Sequence, residues 1–291
     1  MVEIRKRVLG AEHLNTLTSI ANLASTYRNQ GRWKEAKELD VQVIQIRKRV
    51  LGAEHLNTLA SMANLASTYR NQGRWKEAEE LDVQVMQTRE RVLGAEHLDT
   101  LTSMANLAST FWNQGRWKEA EELDVQVMET SLRVLGAEHP NTLTSIANLA
   151  STYRNQGRWK EAEELDVQVI ETRTRMLGVE HLNTLTNMAN LASTFWNQGR
   201  WKEAEELFMQ VIETRKRVLG AEHPDTLASM NNLAHTWKSQ GRSNKAISLL
   251  AKCYKLRKQI LGSHHPFTLS SFGALNKWKM ERTILDRILK R

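Results

Sequence analysis

Apolar residues recur along the chain at helical spacing, and the runs are short and paired. Leu17, Ile20, Ala21, Ala24 and Tyr27 follow i, i+3, i+4, i+7, i+10, one face of a helix. Gly31 ends that run, because glycine accepts the left-handed backbone just past a helix end. A second run follows at Ala36, Leu39, Val43, Ile46 and Val50, and Gly52 closes it. The pattern predicts a hairpin of two antiparallel helices, A over about 15–30 and B over about 33–50. Proline at 140, 224 and 266 falls at the start of a predicted A helix, where its missing N–H would be unpaired anyway.

The hairpin then repeats. The pair Leu-Gly stands at 9–10, 51–52, 93–94, 135–136, 177–178, 219–220 and 261–262, always 42 residues apart. "NLASTYRNQGRWKEA" runs over 22–36 and again over 64–78. Six full units are predicted, at 10–51, 52–93, 94–135, 136–177, 178–219 and 220–261, with a partial seventh at 262–291. A lone hairpin cannot bury its apolar face, so the units must stack. The expected fold is an all-α solenoid, a right-handed superhelix of antiparallel helix pairs.

Both ends depart from the pattern. Residues 1–9 align with 43–51, so the chain opens inside a helix B whose A partner is missing. That end is expected to be uncapped, which fits either a piece of a longer protein or self-association through the open face. At the other end Thr283 stands where glycine should stop helix A. "NKWKMERTILDRILKR" then reads as one amphipathic helix, with Trp278, Ile284, Leu285, Ile288 and Leu289 as apolar contacts. A cap on the stack is expected there; a basic membrane-surface helix is the other reading.

Composition narrows the function classes. The net charge of +8 invites a nucleic-acid partner. The excess is +5 in residues 1–51 and +9 in 220–291, leaving −6 between. A nucleic-acid binder needs a continuous basic stripe, so none is expected. The single cysteine, Cys253, excludes a disulfide framework or a CxxC metal site. There is no long apolar run and no signal-peptide core, so a cytoplasmic protein without a membrane partner is expected. No phosphate loop, nucleophile motif or paired carboxylates appear, which predicts no enzyme and no cofactor. Histidines 13, 55, 97, 139, 181 and 223 recur in the turns between units. Repeats about 10 Å apart hold them too far from one another to share a metal, so a turn or capping role is expected.

The spacing Leu23, Ala24, Tyr27, Gly31, Trp33, Ala36 resembles the tetratricopeptide signature, with Ala24 and Ala36 where the two helices cross. The 42-residue unit with its "LG-x-x-H-P-x-T-L" pattern is similar to the long variant in kinesin light chains and to the C-terminal arrays of some fungal NOD-like receptors. The family favours a bulky residue where Asp40, Asp82, Asp124 and Asp166 stand; only Phe208 and Leu250 comply. Those aspartates either pair with a neighbouring arginine or face solvent.

The resemblance implies that A helices line a concave groove holding an extended peptide or a partner domain. An alternative is a ligand-sensing array belonging to a larger NOD-like signalling ATPase. The groove would carry one asparagine per unit: Asn22, Asn64, Asn106, Asn148, Asn190 and Asn232. A carboxamide carries donors and acceptors, so it suits a peptide backbone. It would equally suit a bond across to the next repeat. Six residues on stand Arg28, Arg70, Trp112, Arg154, Trp196 and Lys238. Arginine could meet a ligand carboxylate and tryptophan an apolar anchor, or the tryptophans could pack on a neighbouring helix. In the last unit Asn231 replaces alanine and His235 replaces serine, marking that end as distinct.

Overall fold

The computed structural model describes residues 2–289, and side chains as far as residue 284. Among the described residues there are fourteen helices and no strand. They run α1 (Val2–Leu9), α2 (Leu14–Asn29), α3 (Trp33–Leu51), α4 (Leu56–Asn71), α5 (Trp75–Leu93), α6 (Leu98–Asn113), α7 (Trp117–Leu135) and α8 (Pro140–Asn155). Then come α9 (Trp159–Leu177), α10 (Leu182–Asn197), α11 (Trp201–Val218), α12 (Pro224–Ser239), α13 (Ser243–Leu261) and α14 (Pro266–Leu289). From α2 to α13 they alternate as A and B helices. The chain gathers into two compact units, residues 1–145 and 146–291, a division the uniform repeat did not announce.

Each A helix begins on a histidine. The Nδ1 of His13 accepts the backbone N–H of Asn15 at 3.2 Å, and His55, His97, His139, His181, His223 and His265 do the same two residues on. Histidine thus does the work that serine or aspartate usually does, occupying one of the helix's unpaired amides. The six A helices from α2 to α12 each end in a glycine turn. At the first, Arg32 N–H returns to the Tyr27 carbonyl at 2.9 Å and Gly31 N–H to Arg28 at 3.1 Å, with Gly31 at φ 73°.

Ala24 and Ala36 are fully buried, as the crossing positions require, and so are their copies Ala66 and Ala78. In the first unit Leu59, Met62 and Leu65 pack with Ile44 and Val85. In the second, a larger cluster joins Leu185, Met188, Phe208, Leu227 and Met230. Each such side chain stabilises its repeat by about 2 kcal/mol.

Polar clips set the register between repeats. The buried Arg47 of α3 donates to the Asn57 carbonyl and to Ser61 Oγ, each at 2.8 Å, at the start of the next A helix. Arg89 does the same to Asp99 and Ser103, and Arg215 to Asp225 and Ser229. In α7 the equivalent position is Ser131, whose carbonyl accepts from Thr142 Oγ1 at 3.2 Å.

The ends complete the picture. Helix α1 buries no side chain fully, and Ile4 and Val8 are exposed. Helix α14 buries Leu275 and Trp278 against Ala234, Ala246 and Leu250, so Trp278 makes the contact expected of it. Ile284 does not: it is 55 % exposed, because α14 continues past the last helix it could pack on. The side chains of Leu285, Ile288 and Leu289 lie outside the described residues. Tryptophan opens five of the six B helices, α3, α5, α7, α9 and α11. Trp75, Trp117, Trp159 and Trp201 open their helices but stay about two-fifths exposed, so they edge the turn rather than anchor it.

Two substitutions test this scheme by chemical denaturation. Gly73→Ala, at φ 72° in open surroundings, should cost about 1 kcal/mol through backbone strain alone. Ser131→Arg should raise stability by about 1 kcal/mol by restoring the clip to the Asn141 carbonyl and Ser145; an unchanged midpoint would show that the clip contributes nothing net.

Candidate functional site

The A helices carry most of the polar residues singled out in the sequence, and the structure sorts them into two groups. The arginines turn inward. Arg28 Nη1 lies 2.6 Å from the Asn64 carbonyl and 3.0 Å from Thr68 Oγ1 of the next repeat, and 3.6 Å from Asp40. Arg70 reaches Asp82 at 2.6 Å and Thr110 Oγ1 at 3.1 Å. In the second unit Arg154 reaches Asp166 at 3.2 Å and Thr194 Oγ1 at 2.8 Å. Asp40, Asp82 and Asp166, three of the four aspartates that broke the family's preference, are therefore partners of arginine, not solvent-facing groups. Each also accepts the threonine hydroxyl of the following repeat, Asp82 from Thr110 at 2.6 Å and Asp166 from Thr194 at 3.0 Å. The Arg28, Arg70 and Arg154 side chains keep 10–14 % of their surface exposed, which leaves little guanidinium for a ligand carboxylate.

Burial dominates these pairs. It pushes the carboxyls of Asp40, Asp82 and Asp166 above the usual carboxylate range, despite the arginine and threonine that pull the other way. It likewise lowers Arg28 against the pull of Asp40. A buried ion pair of this kind holds geometry more than it adds stability.

The sequence signal for the pairing is a covariation twelve residues apart. Arg28/Asp40, Arg70/Asp82 and Arg154/Asp166 keep both partners, whereas Trp196 goes with Phe208 and Lys238 with Leu250. Trp112 keeps Asp124, which is buried. Where the arginine is lost, another contact takes over. Trp196 Nε1 donates to Ser239 Oγ at 3.1 Å, and Lys238 pairs with Glu281 at 2.9 Å. The indoles of Trp112 and Trp196 remain 36 % and 38 % exposed.

The asparagines behave differently. Their backbone carbonyls belong to the stack; those of Asn64 and Asn106 accept from Arg28 and Arg70. Among the described residues their carboxamides make no hydrogen bond within the chain. Asn22 and Asn232 are exposed; Asn64, Asn106, Asn148 and Asn190 are half-buried. The first unit thus holds three open carboxamides, Asn22, Asn64 and Asn106, and the second holds Asn148, Asn190 and Asn232. Asn231 is not among them. Its Oδ1 accepts from Arg257 Nη1 and Ser271 Oγ at 3.4 Å each, inside the stack.

In the second unit these features meet in a cleft of about 260 Å³ lined by Ser193, Trp196, Asn197, Phe208, Asn232 and His235. Phe208 is 1 % exposed. No lining residue is charged at neutral pH, since burial holds the His235 imidazole below its ordinary value. His235 also stacks edge-on against Trp278 at 4.9 Å. The cleft combines apolar surface with carboxamide and imidazole groups that both donate and accept hydrogen bonds.

The tetratricopeptide repeat family profile matches residues 18–81, 58–129, 106–175, 143–217 and 182–259. A crystal structure from Podosopora anserina, described as a kinesin light chain with nearly identical TPR-like repeats, is 34 % identical, with TM-score 0.57 over 71 % of this chain and 98 % of that one. NprR in complex with its cognate peptide NprX shares the fold at 14 % identity, with TM-score 0.64 over 96 % of this chain and 77 % of that one. A Rap protein complexed with Competence and Sporulation Factor does so at 11 % identity, with TM-score 0.58 over 95 % and 82 %. No curated protein matches the chain. No helix among the described residues is long and apolar enough to cross a membrane.

The ion pairs allow a direct test of which side chains serve the stack. Asp82→Ala should cost about 3–5 kcal/mol in chemical denaturation, because it strands Arg70 in a buried site. The double substitution Arg70→Trp/Asp82→Phe, copying the pair at 196 and 208, should recover most of that loss. A double variant as unstable as the single one would show that the pair is not exchangeable.

Proposed function

The chain belongs to the tetratricopeptide repeat family, and from that premise we propose that it is a non-catalytic interaction scaffold that holds an extended peptide against its A helices. The observation that carries this is the row of carboxamides with no partner inside the protein. A polar group repeated once per helix pair, and left unbonded by the fold, has no stabilising task to perform. Its two donors and two acceptor sites match the N–H and C=O groups of an extended backbone. Such contacts grip a peptide without reading its sequence. Specificity then falls to the positions that vary between repeats, Trp112, Trp196, Lys238 and His235. The cleft at Trp196 and Asn232 suits a neutral apolar or aromatic side chain of the ligand, with Phe208 beneath it. Arg28, Arg70 and Arg154 hold the wall from within, as does Asn231. The fold likeness to NprR, solved in complex with its cognate peptide NprX, is consistent with a peptide ligand.

Selection of displayed random peptides on the full chain provides the test. Enriched peptides should bind the wild-type protein and weaken about 10- to 100-fold on Asn148→Ala/Asn190→Ala/Asn232→Ala, the loss expected for several backbone hydrogen bonds, with melting unchanged. If no peptide is enriched, or if the triple variant binds equally well, the proposal fails. A large drop in melting with binding intact would assign the asparagines to the stack instead.

A further inference from the structure

The seventh A helix leaves bare a face that the six before it bury. At its first core position Leu17, Leu59, Leu101, Leu143, Leu185 and Leu227 are all 0–3 % exposed, whereas Leu269 is 52 % exposed. At the next, Ile20, Met62, Met104, Ile146, Met188 and Met230 are 1–6 % exposed, whereas Phe272 is 44 % exposed. In the other repeats a helix B lies there, reached through a glycine turn. Helix α14 is 24 residues long against 16 for α12, and runs straight through that turn position at Thr283.

At 100° per residue, Leu269, Phe272, Met280 and Ile284 fall within about 120° of one another on one side of α14. All four are exposed, at 44–66 %. The opposite side, with Leu275 and Trp278, fixes the helix to α12 and α13. The apolar stripe is therefore rigidly presented. Lys277 and Lys279 flank it, one on each side, and both are exposed. Residues 243–284 carry eight Lys or Arg and a single acidic residue, Glu281, which already pairs with Lys238.

We propose that this face of α14 docks an acidic amphipathic helix from a protein partner, laid where the seventh helix B would lie. The repeat supplies the template, since an amphipathic helix B follows the A helix in every other unit. The charge selects the partner: an apolar stripe between lysines favours a helix whose flanks are Asp and Glu. Three of the B helices, α5, α7 and α9, are themselves net acidic; α9 opens "WKEAEELDVQVIE", with five acidic residues and one lysine. A second copy of the chain fits less well, because both of its ends are basic, +5 over 1–51 and +9 over 220–291.

The probe is a labelled synthetic peptide with the sequence of residues 159–177, titrated into the full chain by fluorescence anisotropy. It should bind saturably, weaken about tenfold or more on Leu269→Glu/Phe272→Glu, and weaken on Lys277→Glu/Lys279→Glu in low salt. The lysine pair is exposed, so its melting should not change; the Phe272 ring lies 5.3 Å from that of Tyr254, so binding to Leu269→Glu/Phe272→Glu is measured well below its own melting temperature. Absence of binding at millimolar peptide, or equal binding to Leu269→Glu/Phe272→Glu, would overturn the proposal. So would a wild-type dimer in sedimentation equilibrium that this variant abolishes, which would give the face to a second copy. Binding to anionic phospholipid vesicles in place of the peptide would overturn it as well. None of these readouts involves Asn148, Asn190 or Asn232, so this proposal and the peptide groove stand or fall separately.

Discussion

A helix pair of this size has an apolar face that only another pair can cover, and everything else in the fold answers to that. The covering must also be in register, which nonspecific apolar contact does not guarantee. Register comes from guanidinium groups threaded between repeats. Arg47, Arg89 and Arg215 leave a B helix and grasp a carbonyl and a serine at the start of the next A helix. A carbonyl in the first turn and a hydroxyl one turn on are fixed points, so a slip of one residue would strand a buried cation. Arg28, Arg70 and Arg154 do the same work at the other end of the A helix, through Asp and Thr.

Helix positions, the glycine turns and the small crossing residues were legible from sequence because each depends on a few neighbouring positions. Ala24, Ala36 and Gly31 carry their reasons in their own spacing. The histidine caps were legible only in outline. Their position in the turn was plain, but a histidine Nδ1 taking an amide two residues on depends on side-chain geometry. The arginine at the A-helix end was misleading for a physical reason. A long cation on a polar face reads as a ligand contact, yet its partner Asp40 lies twelve residues away and Thr68 forty. The aspartate seen as a departure from the family was the missing half of the same observation. Read together, the two columns change in step at 196/208 and 238/250, and that covariation was present in the sequence throughout.

The near-identity of the units hides how uneven the A-helix face is. Where Arg and Asp are both present, the wall is tied inward and only the asparagine carboxamide is left open. Where Trp196 and Phe208 replace them, the buried ion pair gives way to a cleft with an apolar floor. On the proposed reading, one exchange turns a structural element into a recognition element. It is also inexpensive, because a buried ion pair and an apolar pair of similar volume differ little in stability. Repeat arrays can vary in this manner one unit at a time, since each unit answers only to its neighbours.

The same logic explains why the last helix differs from the rest. An internal A helix must serve its own B partner, and the residues facing that partner are held to leucine and isoleucine or methionine by packing. Among the described residues no helix B covers this face of α14, so their packing does not require an apolar residue at 269 or 272. Solvent would favour polar ones at both. Yet leucine and phenylalanine stand there, Met280 and Ile284 extend the stripe beyond the length of an ordinary A helix, and lysines border it. Inheritance from the repeat accounts for Leu269 and for an apolar residue at 272. It does not account for Met280, which replaces the arginine, tryptophan or lysine of the other units, nor for Ile284, which lies past the turn. Neither residue has an aliphatic counterpart in the other units, where arginine stands at every position equivalent to 284, and an exposed apolar extension between cations is what the proposed helix-binding surface requires.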